Sequence, residues 1–107
     1  MTEMGTVLCI VPLESESPEA VHRVRFVGEL DLSSAAVLKE RLVSIAGSTV
    51  EADLSDLTFI DAAGLGALLA AKAKIEQAGH RLVLVGAAGR TRHLFEIVGL
   101  KDLLTDQ

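Results

Sequence analysis

Two short segments hold the residues that could do chemistry: Asp61-Ala62-Ala63-Gly64-Leu65-Gly66 and, upstream, Asp31-Leu32-Ser33-Ser34. Asp61 stands where a helical apolar stripe begins. Its side-chain oxygens can accept the first free N–H groups, and its charge complements the positive end of the helix. The turn that follows has almost no side chains. Two glycines in one helical turn cost roughly 2 kcal/mol relative to alanine, so close approach of another group must compensate. That group is either external, an anion or a protein surface, or the chain's own sheet, and these residues alone leave both open.

Other chemistries find less support. Asp31 and Asp61 could converge at the carboxyl ends of strands as an acid/base pair. No nucleophile, metal site or oxyanion donor set accompanies them, so no catalytic residue is assigned and an enzyme is not expected. Gly64-x-Gly66-x-x-Leu69 lacks the third glycine of a dinucleotide fingerprint, and no acidic residue follows about twenty positions on. The chain has no Gly-Lys-Ser/Thr, hence no P-loop. His22, His80 and His93 lack the paired spacing of metal ligands, so no metal and no cofactor are expected. Arg90 and Arg92, after Gly86–Gly89, could hold an anion near a helix start, though a solvated basic turn is the default reading.

The elements that must position these segments follow from periodicity. Thr6 to Leu13 reads as a strand, Glu14 to Glu19 as a solvated turn, and Val21 to Leu30 as a second, alternating strand forming an antiparallel hairpin with the first. Asp31, Ser33 and Ser34 are candidate N-caps of a helix in which Ala35, Leu38, Leu42 and Ile45 face inward, with Lys39, Glu40 and Arg41 outward, ending at Gly47. Thr49 to Leu54 is a short strand and Ser55 to Ile60 a loop. A second helix, Ala62 to Ala78, turns Leu65, Leu68, Leu69 and Ile75 to the sheet and stops at Gly79. Arg81 to Val85 reads as a parallel strand covered on both faces. After a Gly86–Gly89 loop, a third helix from Arg90 to Val98 carries Leu94, Phe95 and Val98 inward, Gly99 breaks it, and Leu100 to Leu104 is a last turn. Alternation after an initial hairpin implies an α/β fold with a mostly parallel, four- to five-stranded sheet and three to four helices.

With 107 residues this is one domain, 1–107. Half the residues are hydrophobic and 23% charged, the balance of a folded globule; 3% aromatic, three Phe, means an aliphatic core and no base-stacking platform. A net charge of −5 offers no basic surface for phosphates, so no nucleic-acid partner is expected. The single cysteine, Cys9, excludes an internal disulfide and, set among Val7, Leu8, Ile10 and Val11, reads as a buried thiol. No signal-peptide pattern and no span-length apolar run appear, so membrane insertion is not expected and a cytoplasmic location is.

Taken together, Gly28-Glu29-Leu30-Asp31-Leu32-Ser33, the Asp-Leu-Thr-Phe-Ile run at 56–60, Asp61 to Gly66 and Arg92 to Leu100 resemble the STAS domain of bacterial anti-sigma factor antagonists. The resemblance covers nearly the whole chain. It implies a transcription regulator of the stress-response type, acting by partner switching: it binds a serine-kinase anti-sigma factor, releases the sigma factor, and is reversed by phosphorylation. It places Asp31 and Asp61 beside the phospho-site, and Gly64, Leu65 and Gly66 in the contact turn. The expected partner surface is Asp31, Ser33, Ser34, Thr58, Phe59, Asp61, Ala62, Ala63, Gly64, Leu65 and Gly66. The family's acceptor serine corresponds to Ala63, which has no hydroxyl, so phosphorylation at the usual site is not expected. Thr58, Ser55, Ser33 and Ser34 are read as turn or cap residues, while Thr58, Ser55 and Cys9 stay open as a substitute switch. A weak homodimer also stays open. So do two other roles: a STAS subunit of a stress-sensing or lipid-transport ATPase complex, and a small nucleotide- or anion-binding protein.

Overall fold

The alternating strands and helices form one sheet with helices against it in a computed structural model that describes residues 8–13, 21–44 and 49–105. The elements are β1 (Cys9–Leu13), β2 (Val21–Leu30), α1 (Ala35–Ser44), β3 (Thr49–Ile60), α2 (Ala62–Gln77), β4 (Leu82–Val85), α3 (Gly89–Ile97), a 3-10 turn (Lys101–Leu103) and β5 (Leu104–Thr105). Spatial order equals chain order, β1-β2-β3-β4-β5. β1 pairs antiparallel with β2, and every other neighbouring pair is parallel. This is the α/β architecture that the pattern implies. The turn at 14–19, Thr6 and Val7, and Ile45 and Gly47 lie outside the described residues.

Each parallel step moves one strand over in the same direction, so right-handed crossovers place the helices on one face. Burial agrees: Val24, Phe26 and Leu30 of β2, Val50, Ala52 and Leu54 of β3, and Leu82 and Leu84 of β4 are buried together with Leu38, Leu42, Leu68, Ile75 and Phe95. The alternate residues, Arg23, Arg25 and Val27 of β2 with Glu51 and Asp53 of β3, line a face that stays half-open or exposed. There Arg23 pairs with Glu51 at 2.9 Å and Arg25 with Asp53 at 3.3 Å, each across the strand register. Half-exposed pairs contribute about 0–1 kcal/mol each. Their larger effect is on register, because a slip by one residue would set each Arg beside an apolar neighbour.

Several expectations need correction. Ser55 to Ile60 is not a loop but the second half of β3. Register shifts between Arg25 and Val27 and between Gly28 and Glu29 interrupt the ladder, so Leu54, Leu57 and Ile60 are buried three apart rather than two. Gly28 sits at the shift with a φ of 114°, a conformation glycine adopts without penalty. Cys9 is exposed, not buried: it pairs with Val27, while Leu8 and Ile10 take the core side. β4 is not covered on both faces throughout, since Val83 is half-buried. On α3, Thr91 and Phe95 face the core and Val98 is 46% exposed. The last segment is a 3-10 turn followed by a fifth strand that pairs with β4.

β1 is an edge strand. The Ile10 carbonyl accepts from Arg41 Nη2 of α1 at 3.2 Å, and Pro12, two residues on, has no N–H to offer.

Candidate partner-docking surface

β2 and β3 end side by side, with Leu30 opposite Ile60, so the segments that leave them emerge together. Asp61 N donates to the Leu30 carbonyl at 3.3 Å. Asp61 Oδ1 accepts from Gly64 N at 2.7 Å, which makes Asp61 the N-cap of α2 as expected. The Asp61 carbonyl accepts Leu65 N at 2.8 Å, closing the first helical bond.

The upstream turn is tied down more heavily. Asp31 Oδ1 accepts from Ser33 N at 3.0 Å, Ser33 Oγ at 2.7 Å, Ser34 N at 3.2 Å and Ser34 Oγ at 3.2 Å. Ser34 Oγ also donates to the Glu29 carbonyl at 2.8 Å and accepts Asp31 N at 2.9 Å. The Ser33 hydroxyl is the main influence on the Asp31 carboxyl; burial opposes it, and the Ser34 and Ser33 amides and the Ser34 hydroxyl add to it, so the group stays below its usual range. Thr58 Oγ1 donates to the Gly28 carbonyl at 3.1 Å, holding the irregular stretch of β3 to β2. Asp31, Ser33 and Ser34 therefore have a structural duty to their own turn, and Thr58 has one to the β2–β3 pairing.

Exposure sorts the expected surface into two layers. Ser33, Thr58, Phe59, Ala62, Ala63 and Gly66 are exposed, and Asp31 and Asp61 are half-exposed. Ser34, Gly64 and Leu65 are buried; they shape the surface from beneath rather than offer themselves to it. A Cβ added at Gly64 would meet the Leu30 carbonyl oxygen at 2.1 Å, so this glycine serves the contact between α2 and β2. At Gly66 an added Cβ would meet nothing within 4 Å. The two readings of the glycine pair thus divide: the inner glycine answers to the fold, and the outer one has no internal reason to be glycine.

Sequence reasoning missed Leu32, which is 77% exposed between Asp31 and Ser33. The available signal was a leucine inside a polar turn, outside any helical stripe. The arrangement brings no catalytic set together. Asp31 and Asp61 each bind their own turn, and among the described residues no group of three or more His, Cys, Asp or Glu side chains is placed to hold a metal.

Residues 14–105 match the family model described as Mlab, STAS domain. Over 84 residues the chain is 36% identical to an anti-sigma-B factor antagonist of Bacillus subtilis, covering 77% of each. The chain belongs to the STAS family. A second relative, the anti-sigma-B factor antagonist of Listeria monocytogenes, is 33% identical over 98 residues, 88% of this chain and 86% of its own. Among solved structures, the anti-sigma factor antagonist SpoIIAA in its unphosphorylated form superposes with a TM-score of 0.73 at 21% identity, covering 94% of this STAS domain and 87% of that chain. SpoIIAA has also been solved in a phosphorylated form. No helix among the described residues of this STAS domain is long and apolar enough to cross a membrane.

Proposed function

We propose that this STAS domain is an anti-sigma factor antagonist: it binds a serine-kinase anti-sigma factor through the tip of α2 and the turn at 31–33, and so frees a sigma factor to direct transcription. The observation that carries this reading is the exposed, nearly side-chain-free patch of Ala62, Ala63 and Gly66, built on the Asp61 cap in a chain 36% identical to an anti-sigma-B factor antagonist. A patch of this kind lets a partner's backbone come close, and a reversible exchange of partners needs only a modest interface.

The switch is altered. A phosphate at position 63 would add nearly two negative charges beside Asp61 and Asp31 and repel a docked partner. Ala63 cannot carry it, nor can Ala62. The protein therefore stays in its binding-competent form unless it is controlled elsewhere. Thr58 is a poor substitute acceptor, because its hydroxyl is held by the Gly28 carbonyl.

Two measurements test this. In calorimetric titration against the purified serine-kinase anti-sigma factor of the source organism, wild type binds and Ala63→Arg loses at least tenfold in affinity. Equal affinities would overturn the assigned surface. Incubation of the same pair with labelled ATP leaves residues 61–66 without phosphate, and label in that peptide would refute the altered switch.

A further inference from the structure

Leu32 is the most exposed large hydrophobic among the described residues, at 77%, yet its backbone is held as if its position mattered. On one side the Asp31 amide is bonded to Ser34 Oγ. On the other the Ser33 amide and hydroxyl are bonded to Asp31 Oδ1. A loose leucine in water loses much of the gain from burial to ordering, whereas one on a pinned turn loses little. Its location is equally specific. The Leu30 carbonyl, two residues before it, is the group against which Asp61 and Gly64 of the α2 tip pack. Val37, 42% exposed, follows on α1.

The segments that carry this knob hold charge of one sign. Segments 26–38 and 54–71, which build the tip and its flanks, contain Glu29, Asp31, Asp56 and Asp61 and neither Lys nor Arg. Of these, Asp56 has Arg25 at 3.8 Å. A second copy of this chain docking symmetrically would bring like charges together, so the occupant that fits is a different protein with an apolar pocket and a basic rim.

We propose that Leu32 is an anchor of the docking surface. It inserts into an apolar pocket of the anti-sigma factor, whose Lys or Arg side chains close on the carboxylates of Glu29, Asp31 and Asp61. This rests on the function proposed above and adds the chemistry of the partner's site. Because Leu32 stands in solvent in the free protein, truncating it leaves the fold intact.

Affinities of wild type, Leu32→Ala and Ala63→Arg for the purified anti-sigma factor, each at low and high salt, separate the outcomes. Leu32→Ala weakens binding roughly 10- to 100-fold, the cost of leaving one leucine unburied, with its urea midpoint unchanged. Wild-type affinity falls as salt rises, as a charge-matched rim requires. If Ala63→Arg abolishes binding while Leu32→Ala binds like wild type, the anchor is refuted and the docking surface stands. If neither variant weakens binding, the assigned surface fails together with the anchor; if wild type itself does not bind the anti-sigma factor, the proposed function fails. If Leu32→Ala instead converts a sedimenting dimer to monomer without touching partner affinity, the occupant is a second copy and the proposal is overturned.

Discussion

Gly64 and Gly66 stand two residues apart on α2, and opposite consequences follow from changing each to alanine. At Gly64 the new methyl would lie 2.1 Å from the Leu30 carbonyl oxygen and 2.9 Å from the Leu30 side chain. Backbone cannot yield as a flexible side-chain end does, so the helix tip must lift from the sheet. Overpacking of this kind costs about 1–3 kcal/mol or more, and Gly64→Ala is expected to lower the urea midpoint accordingly. At Gly66 the methyl meets open space. Alanine there restores helix propensity, and Gly66→Ala gains about 0.5–1 kcal/mol in the same experiment. If the patch is a landing surface, the stabilised variant binds its partner more weakly, since the methyl now stands where another backbone must approach. A variant both more stable and equally tight would leave Gly66 without a role.

Among the elements, β3 shows most clearly where pattern and structure part. Its first half alternates and was legible as a strand. Its second half buries Leu54, Leu57 and Ile60 at intervals of three, because the β2–β3 ladder shifts register twice, and a period of three does not read as a strand. α2 was legible in its bounds, with Asp61 at its start and Gly79 after its end, and in Leu65, Leu68 and Ile75 of its inward stripe; Ala71 is buried as well, where Leu69, expected inward, is only half-buried. Cys9 was misread because apolar neighbours suggest burial, whereas a strand with one half-open face puts every second residue outside. Of the site, the cap and the bare tip were visible in the residues; the exposure of Leu32 follows from how its own turn is held, and the inward duty of Gly64 from a contact with Leu30 on a distant segment.

The β2–β3 pairing also carries a pH dependence. Burial pushes the Asp53 carboxyl up, but the Ser55 hydroxyl and amide and the Arg25 guanidinium outweigh it and hold the group below the usual carboxylate range. A carboxyl depressed in the folded state adds stability above its unfolded pKa and loses it as the pH falls through the folded value. Asp53→Asn is therefore less stable than wild type at neutral pH, and the gap narrows below about pH 4. Urea midpoints at pH 7 and pH 3 measure it; a gap that stays constant would remove Asp53 from the account.

For the whole molecule, an aliphatic core leaves few large side chains to carry cohesion. Of the three Phe residues, Phe26 and Phe95 are completely buried and Phe59 is 39% exposed. Phe95 comes from α3 and belongs to the same cluster as Leu84 of β4 and Leu54 of β3, so its loss is felt by every layer. Phe95→Ala should cost about 3–5 kcal/mol, a large part of the 5–15 kcal/mol available to a typical domain. Circular dichroism melting would register this as a much lower midpoint, and a fall no greater than that of a surface change would contradict the packing described.

The outer margin of the sheet bears on how such a regulator can be counted. With Ile10's oxygen occupied by a guanidinium and a proline two residues on, β1 gives an incoming chain little to zip onto. A protein that acts by titrating another must remain available one molecule at a time, however abundant it becomes. That plugged margin removes one route, strand addition along β1, by which copies would be withdrawn from the working pool.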